Sequence, residues 1–173
     1  MARTRPDLLE VLYEPWWWTW QKKCYEHEGP IYQQPIFSQQ DGHLSCRYIG
    51  ESLRRTHDQY PIIPALSDRQ REAMTLFDKL LNGPDFAIWK PFVLGDWQMV
   101  NNHIVMHART EFEDYPEIER KRHLLRMWLA MPNSRPLSAL MRPVYRDQRA
   151  GAVRGGLPPT VPGTVVFETT EVV

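Results

Sequence analysis

The sequence reads as a mostly β chain with flanking helices. Strand-type apolar runs recur from Trp16 to Trp128, an Asp41-Gly42 pair sits between two of them, and only two segments carry helical spacing with start and stop signals. At 173 residues the chain suits one domain with its own core. Its 15 prolines are dispersed rather than gathered in a linker, which predicts many short elements joined by turns.

Residues 4–13 form the first predicted helix, with Thr4 as its cap, Pro6 in the first turn, and Leu8, Leu9 and Leu12 on one face before Pro15 ends it. Trp16-Trp17-Trp18-Thr19-Trp20 follows as a strand placing Trp16, Trp18 and Trp20 on one face. Two readings stand for it. Trp is a large apolar residue, which favours a buried strand; the same rings, if exposed, would stack sugars or bases. Lys22-Lys23 and Glu26-His27-Glu28-Gly29-Pro30 read as an exposed turn.

Runs 32–38 and 44–49 flank Gln39-Gln40-Asp41-Gly42-His43, where Asp-Gly supplies the positive backbone angles of a tight hairpin. Ser67-Asp68-Arg69-Gln70 is a capping box. It opens a helix whose Ala73, Leu76, Phe77, Leu80 and Leu81 share a face and which Asn82-Gly83-Pro84 stops. Strands are then predicted over 86–94, 97–106 and 123–129, the first two joined by a Gly95-Asp96 turn and the third preceded by a charged connection. From Arg142 the chain becomes rich in Arg, Gly and Pro, so residues 1–140 read as the domain and 141–173 as an irregular tail.

Charge narrows the function classes. Lys plus Arg (21) equal Asp plus Glu (21), so no overall field draws the chain to nucleic acid or to an anionic membrane. The first residues lack the apolar run of a signal peptide, and no stretch is long enough to span a bilayer, which gives a cytoplasmic reading. Cys24 and Cys46 have no metal-type spacing and read as reduced thiols.

The residues that suggest chemistry are concentrated in 95–128. His103 and His107 are four apart, but His-Ile-Val-Met-His lacks the Glu of a helical zinc motif, and its Ile-Val centre prefers a strand. On a strand the two rings stand ~13 Å apart, so they cannot share one ion. Along 122–128, alternation puts Arg122, Leu124, Arg126 and Trp128 on one face. If that face points inward, two guanidinium groups require anions, and a carboxylate suits their planar fork. If it points outward, Arg122 and Arg126 pair with Glu117 and Glu119, and spacing alone favours this second arrangement.

Gly95-Asp96, Asn101-Asn102, His107-x-Arg109, Phe112-x-Asp114 and Arg122-His123-Leu124-Leu125-Arg126, in this order, resemble the C-terminal half of the taurine dioxygenase/TfdA-like superfamily of Fe(II)- and 2-oxoglutarate-dependent oxygenases. The resemblance extends over roughly residues 1–140, with its specific motifs in 95–128. It implies a double-stranded β-helix, or jelly roll, with iron held by two His and one carboxylate. Carried over by position, it implies His107 as the distal iron ligand and Arg122 as partner of the distal carboxylate of 2-oxoglutarate. Arg126 becomes a second anchor, and Asn101 and Asn102 lie near the pocket. The implied reaction is hydroxylation of a small organic substrate.

One departure from the superfamily pattern is plain. No His here is followed two positions later by Asp or Glu: His27 leads to Gly29, His43 to Ser45, His57 to Gln59, His103 to Val105, His107 to Arg109 and His123 to Leu125. The expectation is therefore a C-terminal portion of a jelly-roll oxygenase, inactive alone and dependent on an N-terminal complementing segment or on self-association. Two other classes stay open. One is a non-catalytic ligand-binding or interaction module using the Trp-rich strand and the arginine pair; the other binds carbohydrate or nucleic acid through Trp16, Trp18 and Trp20.

Overall fold

A computed structural model describes residues 1–20 and 29–154. The turn expected around Lys22 to Glu28, Cys24 with it, and the Gly155-Gly156-Leu157-Pro158-Pro159 run lie outside the described residues. The first helix, α1, is Pro6–Val11. Pro6 occupies the first turn as expected, but Arg5 rather than Thr4 is the capping residue, and no side chain caps the helix. Arg5 instead bridges Asp7 at 2.7 Å and Glu72 at 2.5 Å, which pins the helix start to a later helix.

Strands β1 (Pro15–Thr19) and β2 (Ile31–Pro35) pair antiparallel, with Trp18 opposite Tyr32 and Trp16 opposite Gln34. Strands β3 (Phe37–Gln40) and β4 (His43–Cys46) form the expected hairpin. Its turn residues Asp41 and Gly42 both have positive φ, 49° and 76°, the twist that matches two flanking strands. The expected first arm, 32–38, divides at Ile36: its first half pairs back to the tryptophan strand and its second half joins the hairpin. Helix α2, Gly50–Gln59, is absent from the sequence expectations and packs on β1. Helix α3, Asp68–Leu81, carries the complete capping box, with Ser67 Oγ accepting from the Gln70 N–H and the Gln70 side chain accepting from the Ser67 N–H.

These elements share one apolar core of Leu8, Leu12, Trp16, Trp18, Ile36, Phe37, Leu53, Met74 and Phe77, among others. Trp16 and Trp18 are 0 % exposed, and each indole N–H has a partner, Val11 O at 3.0 Å and Gln34 O at 2.9 Å. Burial settles the Trp strand as core. On α3 the buried face is Ala73, Met74 and Phe77, while Leu76, Leu80 and Leu81 are half-buried. Phe77 meets Phe37 edge-on at 5.3 Å and Tyr48 at 4.9 Å, so aromatic rings join the helix to the hairpin.

Past α3 the architecture departs from expectation. The predicted strands 86–94, 97–106 and 123–129 are not formed: these residues run without regular pairing, and Ile88, Leu94, Trp97, Leu125 and Trp128 are exposed. A strand is stable only against a neighbour that takes its backbone bonds and apolar face, and among the described residues nothing supplies either. The Gly95-Asp96 turn does form, with the Asp96 N–H on Val93 O at 3.0 Å. Antiparallel pairing flanked by helices is what the described residues share with the expectation. Two separate two-stranded sheets do not make the double-stranded β-helix that the resemblance implies.

Residues 134–154 fold back on themselves, the Leu137 N–H reaching Gln148 O at 2.9 Å and the Gly151 N–H reaching Ser134 O at 3.0 Å. Gly151 is required there: its φ is +71°, and a Cβ would stand 2.5 Å from Pro132 O. The Arg154 guanidinium gathers the carbonyls of Arg135, Asp147, Gln148 and Arg149. No helix among the described residues is long and apolar enough to cross a membrane.

Candidate functional site

Asn101 opens a turn rather than a strand. Its side chain accepts from the His103 N–H at 3.0 Å, and its carbonyl accepts from Ile104 and Val105 at 2.9 and 3.1 Å. Asn is suited to this because its short amide mimics a backbone carbonyl. The strand spacing that set His103 and His107 ~13 Å apart therefore does not apply. Asn101, Asn102 and His107 are exposed, and His103 is half-buried.

The turn is docked on the hairpin. Arg135 Nη2 donates to Leu44 O of β4 and to His103 O, both at 2.6 Å, and Cys46 Sγ lies 3.7 Å from Met106 Sδ. Burial, with the charges of Arg135 and Arg154 beside it, lowers the His103 pKa, and burial pushes the Cys46 thiol up to about 12. Sequence reasoning assigned nothing to Arg135, because its two acceptors are 91 and 32 residues away.

Further along, Arg109 and Arg122 converge on one ring, their guanidinium carbons 4.3 and 5.2 Å from the centre of Phe112. The Arg122 backbone N–H donates to Asp114 Oδ1 at 2.7 Å. The spacing His107-x-Arg109 and Phe112-x-Asp114 singled out these residues, but not the cation-on-ring contact that joins them. Arg122 and Arg126 are exposed, the outward arrangement that spacing alone favoured. The partner of Glu117 differs from that expectation: it meets Arg120, at 3.6 Å, beside the 3-10 turn Ile118–Arg120.

Among the described residues no three of His, Cys, Asp and Glu converge where a metal ion could be held. His107 is one imidazole, and an iron site of the expected kind needs two His and a carboxylate. The residues present do not by themselves fit the metal. The Trp16 and Trp18 rings, enclosed in the core, offer no platform to a sugar or base.

The comparisons with known proteins agree with the order of motifs rather than with the local geometry. Residues 1–128 match the family described as taurine catabolism dioxygenase TauD, TfdA family. A taurine hydroxylase-like protein, SAT17, of Stachybotrys chartarum is 32% identical over 130 residues, 73% of this chain and 32% of that protein. FR-33289 synthase of Streptomyces rubellomurinus is 28% identical over 139 residues, 78% of this chain and 40% of that protein. The chain thus spans less than half the length of either relative. With 128 of its 173 residues under the family match, Asn101, His107 and Arg122 among them, the chain belongs to the taurine catabolism dioxygenase TauD, TfdA family.

Proposed function

We propose that this chain is the part of an Fe(II)- and 2-oxoglutarate-dependent dioxygenase that carries the distal histidine and the cosubstrate arginines. His107 is one iron ligand, Arg122 and Arg126 anchor the carboxylate of 2-oxoglutarate, and the product is a hydroxylated small organic molecule. Overall, 2-oxoglutarate, dioxygen and a C–H bond give succinate, carbon dioxide and an alcohol. The observation that carries the reading is that His107 and both arginines lie, in family order, within the matched 1–128.

In this reading a complementing segment, or a second copy, brings the His-x-Asp or His-x-Glu pair and the strands that pair with 86–106 and 123–129. The exposure of Ile88, Trp89, Leu94, Trp97, Leu125 and Trp128 supports it, because so many apolar side chains in water mark an uncovered contact surface. Their backbone forms no ladder, which leaves it available to a neighbouring strand. The site is cytoplasmic and needs no nucleic acid or membrane.

Succinate formation from 2-oxoglutarate tests the proposal. The 173-residue chain alone with Fe(II) yields none, while its mixture with a polypeptide carrying the family's His-x-Asp or His-x-Glu strand yields succinate that His107→Ala abolishes. Succinate from the chain alone, or succinate from the mixture that His107→Ala leaves unchanged, overturns it.

A further inference from the structure

Because β1 pairs antiparallel with β2, Trp18 stands opposite Tyr32 and Trp16 opposite Gln34. Directly opposed residues share one face of a sheet, so the four side chains are neighbours. Arg47, the residue after β4, reaches the same face. Its backbone N–H donates to Ile36 O at 2.9 Å, two residues from Gln34. Its guanidinium carbon lies 4.3 Å from the centre of the Trp18 ring and 5.9 Å from that of Tyr32. Trp20 extends the wall, its ring 4.1 Å from Tyr32.

Ring faces attract a guanidinium but offer its N–H groups no conventional acceptor. Arg47 Nη1, the Tyr32 hydroxyl and both amide atoms of Gln34 are buried without a hydrogen bond of normal geometry, and the Arg47 guanidinium is close enough to the Tyr32 hydroxyl to act on it electrostatically. Gln34 is 1 % exposed, and the Trp18 indole engages its backbone carbonyl rather than its amide. Asp7, Glu72 and Asp78 are taken by Arg5 and Arg54, and no ion pair of Arg47 with them is formed. Folded proteins leave few buried polar groups unpartnered, and three on one sheet face call for a common partner.

The chemistry of that partner follows from the groups. Arg47 Nη1, Gln34 Nε2 and the Tyr32 hydroxyl all donate, only Gln34 Oε1 and the Tyr32 oxygen accept, and the set carries a positive charge. A carboxylate is its complement: two acceptor oxygens and one negative charge, small enough to sit between aromatic walls. We propose that Tyr32, Gln34 and Arg47 form a recognition site for a small carboxylate, separate from the stretch holding His107, Arg122 and Arg126. The site does not depend on the dioxygenase reading.

Nuclear magnetic resonance of the 173-residue chain tests it, read at the Trp18 indole N–H, which donates to Gln34 O. Sodium acetate is the probe; acetamide and matched sodium chloride are its uncharged and ionic controls. Acetate shifts the Trp18 signal saturably and the controls do not. Arg47→Gln raises the midpoint about tenfold or more and Tyr32→Phe raises it about fivefold, as expected for hydrogen bonds to a charged group. Arg47→Lys, which keeps the charge, lies between wild type and Arg47→Gln, and the Arg122→Gln, Arg126→Gln double variant matches wild type. The Trp16 indole signal, bonded to Val11 O, reports that the sheet is intact in each variant. Tyr32→Phe removes one hydroxyl, and its midpoint decides the matter should Arg47→Gln lose the Trp16 signal. Absence of a saturable acetate response, an equal response to acetamide, or midpoints unmoved by Tyr32→Phe overturns the proposal; ordered water on the three groups produces the first of these.

Discussion

Arg135 holds His103 by its backbone, Nη2 donating to the His103 carbonyl at 2.6 Å while the same nitrogen donates to Leu44 of β4, also at 2.6 Å. One side chain thereby docks the turn that precedes His107 onto the hairpin. Hydrogen bonds from a charged donor contribute about 1.5–3 kcal/mol each. Arg135→Ala should therefore free residues 101–107 with little effect on the helices. Amide hydrogen exchange across 101–107 should rise by about tenfold or more, with α3 unchanged. Equal protection in the variant and wild type removes Arg135 from this role.

Acid should loosen the same turn. Burial first, then Arg135 and Arg154, lowers the His103 pKa below the ordinary 6.5. The unfolded chain then binds the proton more readily than the folded one, so stability rises with pH across the window below 6.5 and is lost as pH falls through the folded pKa. Urea midpoints measured from pH 8 to pH 5 should fall more steeply for wild type than for His103→Gln. Superimposable curves rule the mechanism out.

The Cys46 thiol should be nearly inert. Burial pushes its pKa up to about 12, which leaves roughly 1 thiol in 10,000 ionised at pH 8, and the thiolate is the reactive form. In a Cys24→Ser background, a disulfide reagent should label Cys46 orders of magnitude more slowly in buffer than in urea. Met106→Ala, which uncovers the sulfur, should speed labelling. Rapid labelling of the folded chain contradicts the burial.

Helix α3 depends on its cap. Ser67→Ala removes the acceptor of the Gln70 N–H at 3.2 Å and should cost about 1 kcal/mol. That is about 2–4 °C in Tm for a chain of this size. Adding Gln70→Ala should cost less than its effect alone, because the two side chains form one reciprocal unit. Thermal melts followed by circular dichroism decide it, and strict additivity argues against the box.

The hairpin turn and the capping box were legible because each is decided within four residues. Asp41-Gly42 fixes two positive φ angles, and Ser67 with Gln70 satisfies two backbone donors at once. Helix α2 was not legible: its start at Ile49 has no side-chain cap, and Leu53 is its one large buried apolar residue. The break at Ile36 was hidden for a different reason. Residues 32–38 have the same extended pattern throughout, and only the partners on either side divide them.

The sequence by itself determined α1, the Asp41-Gly42 hairpin turn and the capped helix α3, the order of motifs from Gly95 to Arg126, and with that order the family. Tertiary structure decided that Trp16 and Trp18 are core, that β2 joins the tryptophan strand, and that Arg135 carries the turn before His107. It also decided that His107, Arg122 and Arg126 are exposed among the described residues. The physical reason is one of range. Caps and tight turns are satisfied by neighbours along the chain, whereas strand pairing, buried arginines and a three-ligand metal site need groups that only a complete set of packed elements brings together.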